Sequence, residues 1–304
     1  MTKPDMRVNL CGVELKNPVV TASGAFGFGH EYAAFYDLAR LGGIGTKGLT
    51  PAPREGNRAP RIAETPMGIL NSVGLQNPGV DAFIREEMPY LRQFDTKIIA
   101  NVAGNTVEEY CGIVEKVSDA GVDLIEMNIS CPNVKAGGMA FGTSCAMVGE
   151  VVSAAKKHAK RPLIVKLSPN VADIAEIARA AQAAGADGLS LINTLLGMKI
   201  DVNTRRPILY QKMGGLSGRA VHPVAVRMVY QVAKAVKVPL IGMGGVATAE
   251  DAAELMLAGA SAVAVGTACF LDPYAPLHII DGLERYCAEH GVAAVRELTG
   301  AVKD

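Results

Sequence analysis

The chain has 304 residues, 49% of them hydrophobic, and its 30 Lys plus Arg are matched by 30 Asp plus Glu. A chain of this length buries about 75% of the surface it exposes when unfolded, so it can fill a core without disulfides or metals. Balanced charge, with no basic window interleaved with aromatics, excludes an electrostatic nucleic-acid footprint. No apolar run reaches the roughly 18 residues that a membrane span needs, and Met1 to Arg7 carries no apolar signal core, so a cytoplasmic location is expected. Cys11, Cys111, Cys131, Cys145, Cys269 and Cys287 lie far apart, with no C-x-x-C pair and no histidine at ligand spacing. They read as reduced thiols, and neither a metal nor an iron–sulfur cluster is expected on this chain.

In chain order, Val8 to Leu15 around Cys11-Gly12 reads as a small hairpin, and Pro18 to Ser23 and Gly43 to Lys47 as two strands. Three longer segments then share one plan: an apolar strand, a polar turn, an Ala-rich amphipathic helix, and an Ala-Gly step into a second apolar strand. They open at Lys97, Pro162 and Pro239 and close on runs that begin at Ala120, Ala184 and Ala258. Each is a βαβ unit, in which glycine suits the left-handed cap after the helix and the unbroken apolar strands indicate a parallel sheet buried on both faces. Strand starts near residues 18, 43, 97, 122, 163, 188, 239 and 262 make eight, which predicts a single-domain α/β (β/α)8 TIM barrel over 1–304, with the hairpin plugging its lower end. Thr50 to Gly79 and Asn193 to Gly218 are long for βα loops, and long loops in compact domains are usually functional, so they are the lid candidates.

Catalytic groups of such a barrel come from the C-terminal ends of its strands. Read in order, those ends supply Ser23, Lys47, Asn101, Asn128 with Cys131 and Asn133, Lys166, Asn193 with Thr194, Gly244-Gly245, and Gly266-Thr267. The last two pairs follow the final two strands, where backbone N–H groups and a helix N-terminus can hold phosphate, although either pair alone is ordinary turn chemistry. Lys47 and Lys166 would face the mouth, where a cation stabilises a developing anion; the bland alternative is a surface lysine. Asn71, Asn101, Asn128, Asn133 and Asn193 offer uncharged donors and acceptors that match an imide or a flavin ring, whereas each taken singly is a common turn or cap residue. Cys131, followed by Pro132 and the glycine-rich Ala136-Gly137-Gly138, reads as an exposed thiol able to act. Cys111, Cys269 and Cys287 fall in apolar or helical segments and read as inert.

Four runs carry a resemblance along the whole chain: Asn71-Ser72-Val73-Gly74-Leu75-Gln76-Asn77-Pro78-Gly79, Asn128-Ile129-Ser130-Cys131-Pro132-Asn133, Lys166-Leu167-Ser168-Pro169-Asn170, and Gly242-Met243-Gly244-Gly245-Val246. The chain resembles the class 1 dihydroorotate dehydrogenases, FMN-binding (β/α)8 barrels that oxidise dihydroorotate to orotate in pyrimidine synthesis. The resemblance implies that Cys131 is the base removing the C5 proton while the C6 hydride passes to flavin N5. It assigns FMN binding to Ser23, Lys47, Gly48, Asn101, Asn128, Lys166, Ile192, Gly218, Gly244, Gly245, Gly266 and Thr267. The pyrimidine and its carboxylate fall to Lys47, Asn71, Ser72, Val73, Gly74, Leu75, Asn128, Asn133, Asn193 and Thr194. Membrane-quinone relatives carry serine in place of the cysteine and an N-terminal membrane-associating extension; this chain resembles neither feature. Leu75 to Gly79 and Gly104-Asn105 with Thr106 to Tyr110 are most like the NAD-linked 1B type, which implies a partner subunit carrying FAD and a [2Fe-2S] cluster, around a homodimer core in a heterotetramer. A fumarate-linked 1A homodimer and the flavin subunit of a dihydropyrimidine dehydrogenase are the alternatives within redox chemistry. Outside it stand a non-redox phosphate-binding isomerase or lyase and a non-catalytic assembly subunit.

Overall fold

A computed structural model describes residues 3–130, 132, 133 and 139–303; of 132, 133, 139 and 140 it describes the backbone. Eight parallel strands, Val19–Thr21, Gly43–Gly45, Lys97–Val102, Leu124–Asn128, Leu163–Lys166, Gly188–Leu191, Leu240–Met243 and Ala262–Val265, close into a barrel. Their order around the barrel follows the chain, and all eight fall where the apolar runs predict them. The last four are buried at every position, as strands enclosed between side chains inside the barrel and helices outside must be.

The helices form where apolar spacing and capping agree. In Ile174–Ala183 the buried residues are Ile174, Ile177, Ala178 and Ala181, one face of a 3.6-residue repeat, and the Asp173 carboxylate accepts from the N–H groups of Ala175 and Glu176. Ala249–Ala258 opens on a reciprocal capping box between Thr248 and Asp251. Val107–Asp119 ends against Gly121 at φ 77°, a left-handed position that glycine occupies without a Cβ clash.

The hairpin is Val8–Leu10 paired with Val13–Leu15, and Leu10 and Leu15 are fully buried. Cys11 Sγ donates to the Asp187 carbonyl at 3.3 Å, immediately before the sixth barrel strand. That contact places the hairpin across the N-terminal end of the barrel, away from the catalytic face. Burial pushes the Cys11 thiol up to about 12.

The two long βα segments differ from the expectation of loops. Ile62–Thr65 and Gly68–Asn71 from one, and Leu195–Met198 and Met213–Ser217 from the other, pair into a single four-stranded antiparallel sheet. The sequence conceals it because Ile62, Leu196, Met198 and Met213 leave large apolar side chains exposed, which erases the alternation of apolar and polar residues that marks a half-buried strand. Among the described residues, no helix is long and apolar enough to cross a membrane.

Candidate active site at the C-terminal face

Four side chains from neighbouring strands meet inside the barrel. Asn101 on the third strand donates from Nδ2 to Glu126 Oε2 at 2.5 Å, and Ser190 Oγ on the sixth donates to Glu126 Oε1 at 2.7 Å. Lys166 Nζ, at the end of the fifth, lies 3.8 Å from Glu126 Oε2. All four are buried, with Asn101 1%, Glu126 4%, Lys166 6% and Ser190 0% exposed. Asn101 Oδ1 is buried without a partner, and a Cβ added to Gly48 would stand 2.9 Å from it. A bare acceptor against a residue that must lack a side chain is what a site keeps for a ligand donor. Asn101, Lys166 and Gly48 were legible in the sequence; Glu126 and Ser190 were missed. The signal for Glu126 was present, an acid inside the apolar run Val122 to Met127, two residues before Asn128 and hence on the same strand face.

Above this layer, Asn193 Nδ2 donates to Ser130 Oγ at 2.9 Å and to Asn128 Oδ1 at 3.3 Å, while Asn128 Oδ1 also accepts from the Ser130 N–H. Tyr110, fully buried on its helix, donates its hydroxyl to the Asn128 carbonyl at 2.6 Å and so fixes where the fourth strand ends. The Thr194 N–H uses Asn193 Oδ1 at 2.8 Å. Cys131 lies outside the described residues, as does the segment 134–138. Of Asn133 only the backbone is described, in a short strand Pro132–Asn133 paired with Met139–Ala140.

The antiparallel sheet brings the remaining substrate candidates over the mouth. Asn71 Nδ2 donates to the Gly215 carbonyl at 3.3 Å, and a Cβ on Gly215 would stand 2.0 Å from Thr194 Oγ1, so Asn71 and Thr194 come together around one glycine. Past Asn71 the chain turns through Gly74 at φ 78° and Leu75 at φ 54°. Asn57 holds this turn, donating from N to the Val73 carbonyl and from Nδ2 to the Ser72 carbonyl, and Ser72 Oγ is buried without a partner. Lys47 is half-buried just after the second strand. Burial, and then the nearby Arg61 charge, hold its ammonium below the ordinary lysine range. Arg61 was missed: it sits in a predicted loop and meets Lys47 only through the fold. Two cations at one desolvated mouth favour an anionic ligand.

The glycine turns cluster as expected. Gly244 and Gly245 have φ 128° and 74°, His222 Nδ1 donates to the Gly244 carbonyl at 2.9 Å, and a Cβ on Gly245 would stand 2.9 Å from the Gly218 carbonyl. Thr267 Oγ1 donates to Ser217 Oγ at 2.8 Å, joining the turn after the eighth strand to the segment that ends at Gly218. Ala268–Leu271 after Thr267 is a single helical turn, too short for a substantial helix dipole at its N-terminus. Ser23 is buried at the start of the turn Ser23–Phe26 beside this cluster, and Ile192 is buried, its N–H donating to the Met243 carbonyl. Burial pushes Cys269 up to about 12 and also raises Cys111 and Cys287, in line with inert thiols. Among the described residues no group of three or more His, Cys, Asp or Glu could hold a metal ion.

The site therefore combines a buried lysine and a lone amide acceptor at its floor, a belt of asparagines, a cationic mouth and glycine turns on the final strands. The dihydroorotate dehydrogenase family model matches residues 5–287. The catalytic subunit of dihydroorotate dehydrogenase B (NAD(+)) from Alkaliphilus metalliredigens (strain QYMF) is 61% identical over 99% of this chain and 100% of its own length. Subunits of the same name from Alkaliphilus oremlandii (strain OhILAs) and Geotalea uraniireducens (strain Rf4) are 60% and 57% identical, each over 99% of both chains. With the barrel, its polar mouth and these end-to-end matches in agreement, the chain belongs to the dihydroorotate dehydrogenase family.

Proposed function

We propose that this chain is the FMN-bearing catalytic subunit of an NAD-linked dihydroorotate dehydrogenase, oxidising dihydroorotate to orotate in pyrimidine synthesis. The observation that carries the reading is the barrel floor, where the buried Lys166 ammonium and the unpartnered Asn101 Oδ1 offer a planar heterocycle one cation and one acceptor. FMN fits that donor set and, when bound, supplies a two-electron hydride acceptor. Asn101, Asn128, Lys166 and Lys47 would hold its ring, with Ser23, Gly48 and Ile192 lining it, and the turns at Gly218, Gly244, Gly245, Gly266 and Thr267 would hold its phosphate through backbone N–H groups.

For the substrate, the cationic pair Lys47 and Arg61 supports carboxylate binding. Asn71, Asn128, Asn133, Asn193 and Thr194, with the backbone from Ser72 to Leu75, match the alternating C=O and N–H groups of a dihydropyrimidine. In this reading the sheet over the mouth would cover the ring that must lose a proton. Cys131 is the base in this reading, taking the C5 proton on Sγ. The name carried by the relatives, a catalytic subunit linked to NAD(+), supports a partner that accepts the electrons, and we assign FAD and a [2Fe-2S] cluster to that partner around a homodimer core. A visible spectrum before and after anaerobic addition of dihydroorotate tests the reading: a flavin band that bleaches supports it, and a colourless chain that takes up no FMN overturns it. Full-rate fumarate reduction by the chain alone would overturn the NAD-linked assignment.

A further inference from the structure

The Glu126 carboxylate has no part in the functions assigned so far, yet it touches every polar group of the barrel floor. An ionised carboxylate only accepts hydrogen bonds, so its contact with Asn101 at 2.5 Å must be made by the amide Nδ2. The flip of Asn101 is thereby fixed, and the oxygen is turned toward Gly48, where it is buried and unpartnered. The other carboxylate oxygen is held by Ser190 Oγ at 2.7 Å, which leaves the carboxylate no alternative pose. The same Oε2 lies 3.8 Å from Lys166 Nζ, with both side chains 7% exposed or less, so the floor carries one positive and one negative charge out of reach of solvent.

We propose that Glu126 is the positioning residue of the flavin site. It acts through Asn101, which it forces to present an acceptor, and through Lys166, whose positive charge it offsets, and so sets how strongly the floor favours the reduced flavin over the oxidised one. This rests on the FMN reading above. The physical reason is that a cation beside the ring stabilises the electron-rich form, and a carboxylate beside that cation moderates the effect.

The test is Glu126→Gln in the FMN-loaded chain, read by the flavin midpoint potential and by the dissociation constant of oxidised FMN. Glutamine keeps an oxygen for Asn101 and an amide for Ser190 while deleting the charge. The expected result is retained FMN with reduced flavin bound about tenfold more tightly relative to oxidised, a potential raised by about 30 mV for a two-electron couple. A purely structural role would weaken both forms equally and leave the potential fixed, and that result, or a lowered potential, overturns the proposal. If Glu126→Gln alone fails to fold, the double variant with Lys166→Gln removes both buried charges and is expected to fold, because an unpaired buried charge costs far more than a deleted pair. Failure of the double variant as well would overturn the proposal. A wild-type chain that binds no FMN would instead sink the flavin reading itself, so the two failures are distinguishable.

Discussion

Tyr110→Phe removes the hydroxyl through which a barrel helix reaches the site. The phenol is fully buried, and its hydroxyl reaches the Asn128 carbonyl at 2.6 Å, while its ring meets Phe141 edge-on at 5.6 Å, a packing that phenylalanine preserves. Losing the donor from this part-buried carbonyl costs about 1–3 kcal/mol. The unfolding entropy of about 2.1 cal/mol/K per residue gives about 0.64 kcal/mol/K for a chain of 304 residues, so Tm should fall by about 2–5 °C. Because Asn128 Oδ1 is shared by Ser130 and Asn193, slack in the Asn128 backbone reaches both partners, and orotate affinity should fall about fivefold for each kcal/mol of this loss felt in the bound state. Thermal melts of the FMN-loaded protein and a calorimetric orotate titration measure the two effects. An unchanged Tm together with unchanged orotate binding would refute the claim that this bond fixes the end of the fourth strand.

Lys47 gives a pH dependence: its folded pKa is lowered, so between that value and the unfolded 10.5 the unfolded chain holds a proton that the native one has released, and ligand-free stability should rise with pH through that window. Orotate affinity should run the opposite way, falling as the ammonium is lost, and Lys47→Met should flatten both profiles in titrations across alkaline pH. Gly68→Ala places a Cβ 2.0 Å from the Ser217 carbonyl and should part the strands Gly68–Asn71 and Met213–Ser217, with loss of orotate binding at retained barrel circular dichroism; wild-type orotate affinity would count against the sheet as part of the site. Cys131→Ser should cost turnover severely while FMN stays bound, and stopped-flow reduction by dihydroorotate at the wild-type rate would remove Cys131 from the role of base.

The barrel was legible because a parallel strand buried on both faces is written as a nearly continuous apolar run, and the eight runs, from Val19 in the first to Val265 in the last, keep to that pattern apart from a few polar residues such as Asn101, Glu126 and Ser190. The strand-end residues were legible for the same reason, since a polar side chain directly after such a run has only the mouth to occupy. What escaped depended on tertiary meetings. Glu126 lies inside a run, where a charge reads as noise until Asn101, Ser190 and Lys166 are seen around it. Arg61 is fourteen positions from Lys47 in a stretch rich in proline and glycine, and nothing local says that their charges meet. The antiparallel sheet escaped because its strands come from two segments more than a hundred residues apart, and strand pairing over such distances leaves no mark in either segment alone.

That sheet also constrains how the protein can vary. Leu216 faces Leu70, and Gly215 faces Asn71, across a register that each segment holds only by reference to the other. An insertion or deletion of one residue in either segment would turn every opposed side chain to the wrong face, so the lengths of the two segments are a shared quantity. A chimera that imports one segment from a relative of different length inherits half of a lock, whereas importing both transfers the mouth of the barrel as a unit.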